Sequence, residues 1–408
     1  MNDKRLSELL ENIQDVDVCV YGDFCLDAYW LLDPSGSEES VETGVKAEAV
    51  RKHYYSPGGA SNVAANMAAL NPRSIRTIGS VGPDIFGREL RRQLDDLGVK
   101  TDHLLVQEED GFETLAFCKH YMDLHETLRV DFGTLNHRSA KVELKLLEGL
   151  ERALDECSIV IFNQQVPGTL ANEDFIAGAN ELFAAANGTT VLLDSRHYGD
   201  KFHSVGRKIN EVEAALLCGA QVKPRDVIER DKVIEYGRRL FDTSGKPVFI
   251  TRGPKGIMSF DKGGHEETPG IQLDAQLDTV GAGDTTLSAI ALCLGAGTNA
   301  AQAAELANIA ASVTVQKLRR TGTANGQEIQ ELNSDVRYIH QPELAADGEK
   351  ATYLADTQVE VCGTPPAGTI RFAIFDHDGT ISTLRHGWEA IMEPVMMSAI
   401  LGSGTHPE

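Results

Sequence analysis

Asp278-Thr279-Val280-Gly281-Ala282-Gly283-Asp284 combines residue types that can do chemistry at a spacing that lets them act together. Gly281 and Gly283, with only an alanine between them, let backbone N–H groups approach an anion closely. Leu287, Ile290, Ala291 and Leu294 recur at helical spacing, so a helix is expected from about Asp284, with Gly295 and Gly297 marking its end. The positive end of that helix and its unpaired N–H groups complete an anion hole suited to a phosphoryl group in transfer. A carboxylate there would be repelled by a bound phosphate unless it had work to do. The obvious work for Asp284 is to take a proton from an attacking hydroxyl. The plain alternative is a glycine-rich turn with Asp284 as an ordinary helix N-cap.

The elements that must hold this stretch read as alternating strands and helices. Residues 3–13 form a short polar helix. Val16, Val18 and Val20 share one face of a first strand that ends at Gly22-Asp23, and Asp27 follows it. Ligands gather at the carboxyl ends of strands in such sheets, so Asp27 either binds something polar or caps a turn. Residues 30–57 and 112–132 alternate like short, partly exposed strands. Pro57-Gly58-Gly59 reads as a turn before a helix whose inner face is Val63, Ala64, Met67 and Leu70, stopped by Asn71-Pro72. Asn62 sits in that helix's first turn, toward the turn's opening. A further strand and loop lead to a helix with Phe86, Leu90, Leu94 and Leu97 inward. From residue 157, three apolar runs (CSIVIFN, TTVLLDS, PVFITRG) read as buried strands with helical segments between them, as a parallel sheet requires. Arg196 follows the second of these and is placed to reach a phosphate. Asn210 and Glu213 are spaced as a helix start.

Composition narrows the class. The chain has 408 residues, of which 42% are hydrophobic and 24% charged, with a net charge of −23. That charge argues against a nucleic-acid or anionic-membrane partner, so an anionic substrate must be met by local cations and N–H groups. The N-terminal segment reads as too polar for a signal peptide, and no apolar run is long enough to span a bilayer. Seven cysteines without paired spacing read as reduced thiols. A cytoplasmic protein is expected.

The seven-residue stretch resembles the C-terminal signature of the ribokinase-like (PfkB) sugar kinases. The resemblance implies that Asp284 is the catalytic base and that the backbone of Gly281, Ala282 and Gly283 forms the anion hole. Gly22-Asp23 followed by Asp27 resembles the family's opening, in which the second acid holds sugar hydroxyls. Gly58-Gly59 with Asn62 resembles its N-terminal signature, in which the glycines and the Asn bind the sugar. Gly82, Asp84 and Gly87 match a segment read as mainly structural. Asn210 and Glu213 match N-x-x-E, which implies a role in placing Mg²⁺ and the nucleotide phosphates. Thr251, Gly253 and Gly256 resemble the nucleotide-side loop, Asn308 an adenine neighbour, and 321–324 a potassium site built from carbonyls. Arg129-x-Asp131 is similar to the kinase domain that phosphorylates heptose 7-phosphate in ADP-heptose synthesis. Arg129 there either pairs with a substrate phosphate or forms an ion pair across a lid strand. Together these imply a three-layer α/β fold with a central, mostly parallel sheet and a small β lid, using ATP and Mg²⁺ on a sugar or phosphosugar. A homodimer paired through the lid is implied too. Residues 37–50 depart from the proline-richer family segment, which leaves other phosphosugars, ketoses and pentoses open.

Residues 1–334 are therefore expected to form the kinase domain, with lid segments near 30–57 and 112–132, and 335–369 a linker. In 370–408 an apolar strand runs into Asp376-His377-Asp378-Gly379-Thr380, which resembles the first motif of haloacid-dehalogenase-like phosphatases. There the first acid is the nucleophile and the second the acid/base, beside Mg²⁺. Only 28 residues follow Thr380, so this is expected to be a truncated, inactive piece. Two rivals to the kinase follow: a phosphatase acting through Asp376, and a non-catalytic sugar or nucleotide sensor on a kinase fold.

Overall fold

Apolar runs dictate the framework. The computed structural model describes residues 1–339 except 123–124, 167–171, 187, 225, 274, 276 and 319–321. The chain runs α1 (Asp3–Ile13), β1 (Asp17–Gly22), β2 (Phe24–Leu32), β3 (Val50–Gly59), α2 (Ala60–Ala69), β4 (Ser74–Val81), α3 (Ile85–Asp96), β5 (Lys100–Val106), β6 (Leu115–Met122) and β7 (His125–Phe132). It continues through α4 (Ala140–Glu156), β8 (Ile159–Gln164), α5 (Glu173–Ala185), β9 (Thr190–Ser195), β10 (Gly206–Asn210), α6 (Glu211–Leu217), α7 (Arg230–Ser244) and β11 (Val248–Thr251). Then come β12 (Gly256–Asp261), β13 (Gly264–Pro269), α8 (Ala282–Gly295), α9 (Ala300–Thr314) and α10 (Gly326–Ser334). The backbone divides into two units, Met1–Asp347 and Gly348–Glu408. The Asp376 and Asp378 motif lies outside the described residues.

Strands β13-β12-β11-β10-β9-β8-β1-β4-β5 form one nine-stranded sheet. Its pairings are parallel from β5 to β11, and only β12 and β13 run antiparallel. Both faces are covered. Val18 and Val20 of β1 pack into the layer holding Leu6, Met67, Leu287 and Ile290. Cys19 and Tyr21 pack into the layer holding Leu146, Leu150, Phe162 and Phe175. A strand buried on both sides is what an all-apolar run requires. Among the described residues no helix is long and apolar enough to cross a membrane.

The lid is a four-stranded sheet, β3-β2-β6-β7. It starts earlier than expected. The chain leaves β1, passes Asp23 and at once becomes β2, so Asp27 lies inside a lid strand and not in a loop. The alternation Cys25, Asp27, Tyr29 puts these on one face. Pro57-Gly58-Gly59 is not a turn but the end of β3, with Gly58 opposite Cys25 and Gly59 opposite Phe24. Ladder hydrogen bonds to β2 override the turn preference of Pro-Gly. Helix α2 then starts directly, and it is buried from Ala60 through Met67. On α3, Leu90 and Leu94 are buried, but Leu97 is 43% exposed because the helix has already ended at Asp96. Gly82, Asp84 and Gly87 hold the α3 entry: Asp84 caps Gly87 N–H at 2.9 Å and accepts Thr114 N–H at 2.7 Å.

Candidate active site

Helix α8 begins two residues earlier than its apolar period suggests, because Gly281 is its N-cap, at φ 83°. That left-handed backbone favours glycine and turns the chain into the helix. Asp284 is therefore the third helical residue and not the cap. The Ala282 N–H closes a turn on Thr279 O at 3.2 Å, so it is spent on the turn itself. Gly281, Gly283 and Asp284 line a cavity of about 430 Å³. N–H groups in a first helical turn lack intrahelical partners, so this end of α8 can receive an anion.

Asp284 Oδ2 accepts a hydrogen bond from Asn62 Nδ2 at 2.6 Å. Burial pushes its carboxyl up to about 6. Asn62 and Lys208 pull it down, while the Asp194 and Asp27 carboxylates push it further up. A carboxyl poised near neutrality, beside an anion hole, can accept a proton from a hydroxyl at physiological pH. Asn62 thus meets Asp284 and is not among the residues lining the cavity.

One side of the cavity is the lid. Asp27, Phe117, Lys119 and Arg129 line it, with Cys25 and Gly59 at its root. Register explains the grouping: Asp27 pairs with Phe117, and Lys119 pairs with Arg129. Lys119 Nζ stands 3.2 Å from Asp27 Oδ1 and 4.9 Å from the Tyr29 ring centroid. Burial opposes the Lys119 charge, but Asp27 holds its ammonium above the ordinary lysine value. Arg129 lies 4.4 Å over the Phe117 ring, and its Nε and one terminal nitrogen bond Asp131 at 2.6 and 2.9 Å. The expected ion pair therefore exists, within β7 itself, and the same guanidinium also faces the cavity. Gly58 packs behind Asp27; a Cβ there would come 3.2 Å from Asp27 Cγ.

The opposite side is built by the ends of β9, β10 and β11. Asp194, Arg196, Lys208, Asn210, Glu213 and Thr251 line it. Lys208 Nζ is 2.9 Å from Asp194 Oδ2, and a Cβ on Gly283 would lie 3.3 Å from the same nitrogen. Burial would lower the Lys208 pKa, yet Asp194 keeps it above the ordinary value. Asn210 and Glu213 form a capping box for α6, with reciprocal bonds of 2.9 and 2.8 Å. Burial raises the Glu213 carboxyl. The helix-start reading of N-x-x-E and its cavity position hold together.

Other expected residues stand elsewhere. Gly253 and Gly256 shape the β11–β12 turn and are not among the cavity-lining residues. Asn308 is buried and its Nδ2 donates to Pro269 O at 2.9 Å, so its side chain holds the end of β13. Thr321 lies outside the described residues. The Thr323 carbonyl, one of the expected potassium ligands, accepts from Lys317 Nζ at 2.5 Å. Lys119, Lys208 and Asp194 were not singled out from sequence. Lys208 precedes Asn210 by two and shares its face of β10, a relation visible only once β10 is known to be a strand.

The description of the family model that matches residues 16–327 is "pfkB family carbohydrate kinase". A curated relative, Bifunctional protein HldE of Shewanella amazonensis, is 30% identical over 323 residues, 78% of this chain and 63% of the relative. The chain thus spans less than two thirds of that relative's length. Ribokinase of Cryptococcus neoformans, solved with ADP, superposes with a TM-score of 0.57 at 16% identity, over 77% of this chain and 99% of that one. Phosphofructokinase-2 of Escherichia coli, solved with potassium, gives 0.59 at 18% identity, over 78% and 98%. With a family match over most of its length, a ribokinase-like fold and an acid poised at the N-terminus of α8, the chain belongs to the pfkB family of carbohydrate kinases.

Proposed function

We propose that this carbohydrate kinase transfers the γ-phosphoryl group of ATP to a hydroxyl of a phosphosugar, with D-glycero-D-manno-heptose 7-phosphate as first candidate. The observation that carries this reading is Asp284, with its carboxyl near 6, standing between a lid wall bearing Lys119 and Arg129 and an opposite wall bearing Lys208 and Arg196. In a chain of net charge −23, two basic side chains on each wall, set among Asp27, Asp194 and Glu213, are the local cations that an anion on either side would need. The resemblance to a heptose 7-phosphate kinase domain and the HldE relative support the candidate sugar. The ADP-bound ribokinase neighbour supports an adenine nucleotide as donor.

In this reading Asp27 and the Gly59 backbone hold the sugar, and Arg129 and Lys119 receive the phosphate it already carries. Asp284 takes the hydroxyl proton. The O–H electron pair stays on the sugar oxygen, which forms the new O–P bond as the bridging O–P bond to the nucleotide breaks. Lys208 and the α8 N-terminus face the charge that develops on the phosphoryl oxygens. Among the described residues no group of three or more His, Cys, Asp or Glu is arranged to hold a metal. Glu213 alone still fits Mg²⁺, which takes one or two carboxylates and fills the rest with phosphate oxygens and water. When bound, Mg²⁺ supplies charge neutralisation at the phosphates. A potassium ion held by carbonyls near 321–324 stays part of this reading, with the Thr323 carbonyl shared with Lys317, and a rise in turnover on adding potassium would support it. A lid-paired homodimer is part of the same reading, supported by the exposed Leu128 and Val130 on the edge strand β7.

The test is ADP release with ATP and Mg²⁺ across heptose 7-phosphate, fructose phosphates, ribose and fructose, with Asp284→Asn as control. Turnover with a phosphosugar, lost in the control, supports the reading. Arg129→Met should then raise KM for that phosphosugar roughly 10- to 100-fold, the worth of a charge-assisted hydrogen bond. Turnover only with sugars that carry no phosphate would sink the phosphosugar assignment, and none with any sugar would favour a sensor.

A further inference from the structure

A side-chain amide has one accepting and one donating end, and its neighbours decide which end faces where. Beneath Asp284 that decision starts from a group with no freedom. Asn66 Nδ2 lies 2.9 Å from the backbone carbonyl of Asn62, which can only accept. Asn66 must therefore point its NH₂ at Asn62, and the same nitrogen reaches Asn62 Oδ1 at 3.1 Å. Asn62 is then obliged to present its own NH₂ to Asp284 Oδ2, at 2.6 Å. At the other end Asn66 Oδ1 accepts the Thr285 hydroxyl at 2.7 Å, and Thr285 Oγ1 lies 3.1 Å from Thr314 Oγ1. Asn62, Asn66, Thr285 and Thr314 are each no more than 3% exposed, so water does not compete for these bonds.

We propose that Asn66 is a positioning residue for the phosphoryl transfer: it locks the Asn62 amide so that Asp284 Oδ2 is permanently a hydrogen-bond acceptor, which reserves Oδ1 for the substrate proton. The inference rests on Asp284 being the general base. It goes beyond that role by assigning the two carboxylate oxygens different tasks and by tracing the assignment to a residue that does not line the cavity. A flipped Asn62 would set its carbonyl against the carboxylate, raising the pKa of Asp284 and turning the acid away from the hydroxyl. The other charges facing Asp284 are Lys208 on β10, Asp194 on β9 and Asp27 on β2, and none of them changes in the test variants.

The experiment reads the Asp284 carboxyl directly by ¹³C NMR titration of aspartate-labelled full-length chain, assigned with Asp284→Asn, so it needs no substrate. Asn66→Leu should move that titration up from about 6 by roughly half a pH unit or more. Turnover with heptose 7-phosphate, or whichever sugar the panel identifies, should fall roughly 10- to 100-fold in kcat with little change in KM. Thr285→Val, which keeps the volume and removes the far partner of Asn66 together with that hydroxyl's contacts to Gly281 O and Thr314 Oγ1, should shift the titration the same way by less. It stands in if Asn66→Leu does not fold. A titration unmoved in the folded variants, whatever happens to Tm, overturns the proposal and leaves Asn66 structural. If Asp284→Asn keeps its turnover, the base assignment fails and the proposal with it. Loss of turnover in Asp284→Asn with an unmoved titration sinks the Asn66 role alone.

Discussion

Asp284 governs pH behaviour in two opposite ways. As the proposed base it must be ionised, so kcat/KM should fall about tenfold per pH unit below about pH 6, where its carboxyl titrates. For stability the sign reverses. The folded value near 6 lies above the ordinary 3.8, so the native state holds this proton more tightly than the unfolded chain. The group's contribution to stability is complete below 3.8 and is lost as pH rises through about 6. Asp284→Asn should therefore melt higher than the parent at pH 8, with the gap closing by pH 4 in calorimetric scans. A gap that does not depend on pH would show that burial is not what perturbs this carboxyl. That Asp284 stands at the entry of a helix was legible in the residues, and the proposed base role follows from a carboxylate placed where a phosphate would bind. Its contact with Asn62 was not, because nothing local joins two residues 222 positions apart.

At the level of elements, the junction between β3 and α2 carries the lid. Gly59 has φ 50° and ψ −129°, a backbone that side chains avoid. A Cβ there would meet Cys25 Sγ at 2.6 Å and Asp23 O at 2.7 Å. Gly59→Ala should cost about 1–3 kcal/mol in urea denaturation. It should also raise KM for the sugar, because the clash pushes β2 two residues from Asp27. An unchanged midpoint would mean the junction relaxes freely. Elements with clean periods were readable: α1, α2, β1, β8, β9 and β11 follow their apolar patterns. The strand β10 was not, because Arg207 and Lys208 make it look exposed. Both are buried there, Arg207 on the carbonyls of Gly199 and Phe202 and Lys208 on Asp194. Such burial is tolerable only with those partners, and a short window of sequence does not contain them.

For the whole molecule, the net charge of −23 would repel the proposed phosphosugar at long range, while the basic side chains lining the cavity would meet it at contact. Salt screens the distant repulsion within about 10 Å but acts weakly on nearly buried pairs such as Lys119–Asp27. KM for the phosphosugar should therefore drop about two- to threefold between roughly 10 and 150 mM ionic strength. A KM that rises throughout this range would place the governing charges at the surface. The sequence by itself determined the class: a parallel α/β framework, a glycine-shaped helix entry at Gly281 and an acid in the first turn behind it. These rest on local sterics, periodicity and hydrogen-bond geometry, which neighbouring residues settle among themselves. Only the tertiary structure decided which charges share the cavity. Lys119 and Arg129 meet Asp27 because β2, β6 and β7 adopt one register. Lys208 reaches Gly283 because β10 ends beside α8, and Asn66 commands Asp284 because α2 packs on α8. Those pairings are chosen by the burial of whole faces, a quantity that belongs to the assembled layers and to no single stretch of chain.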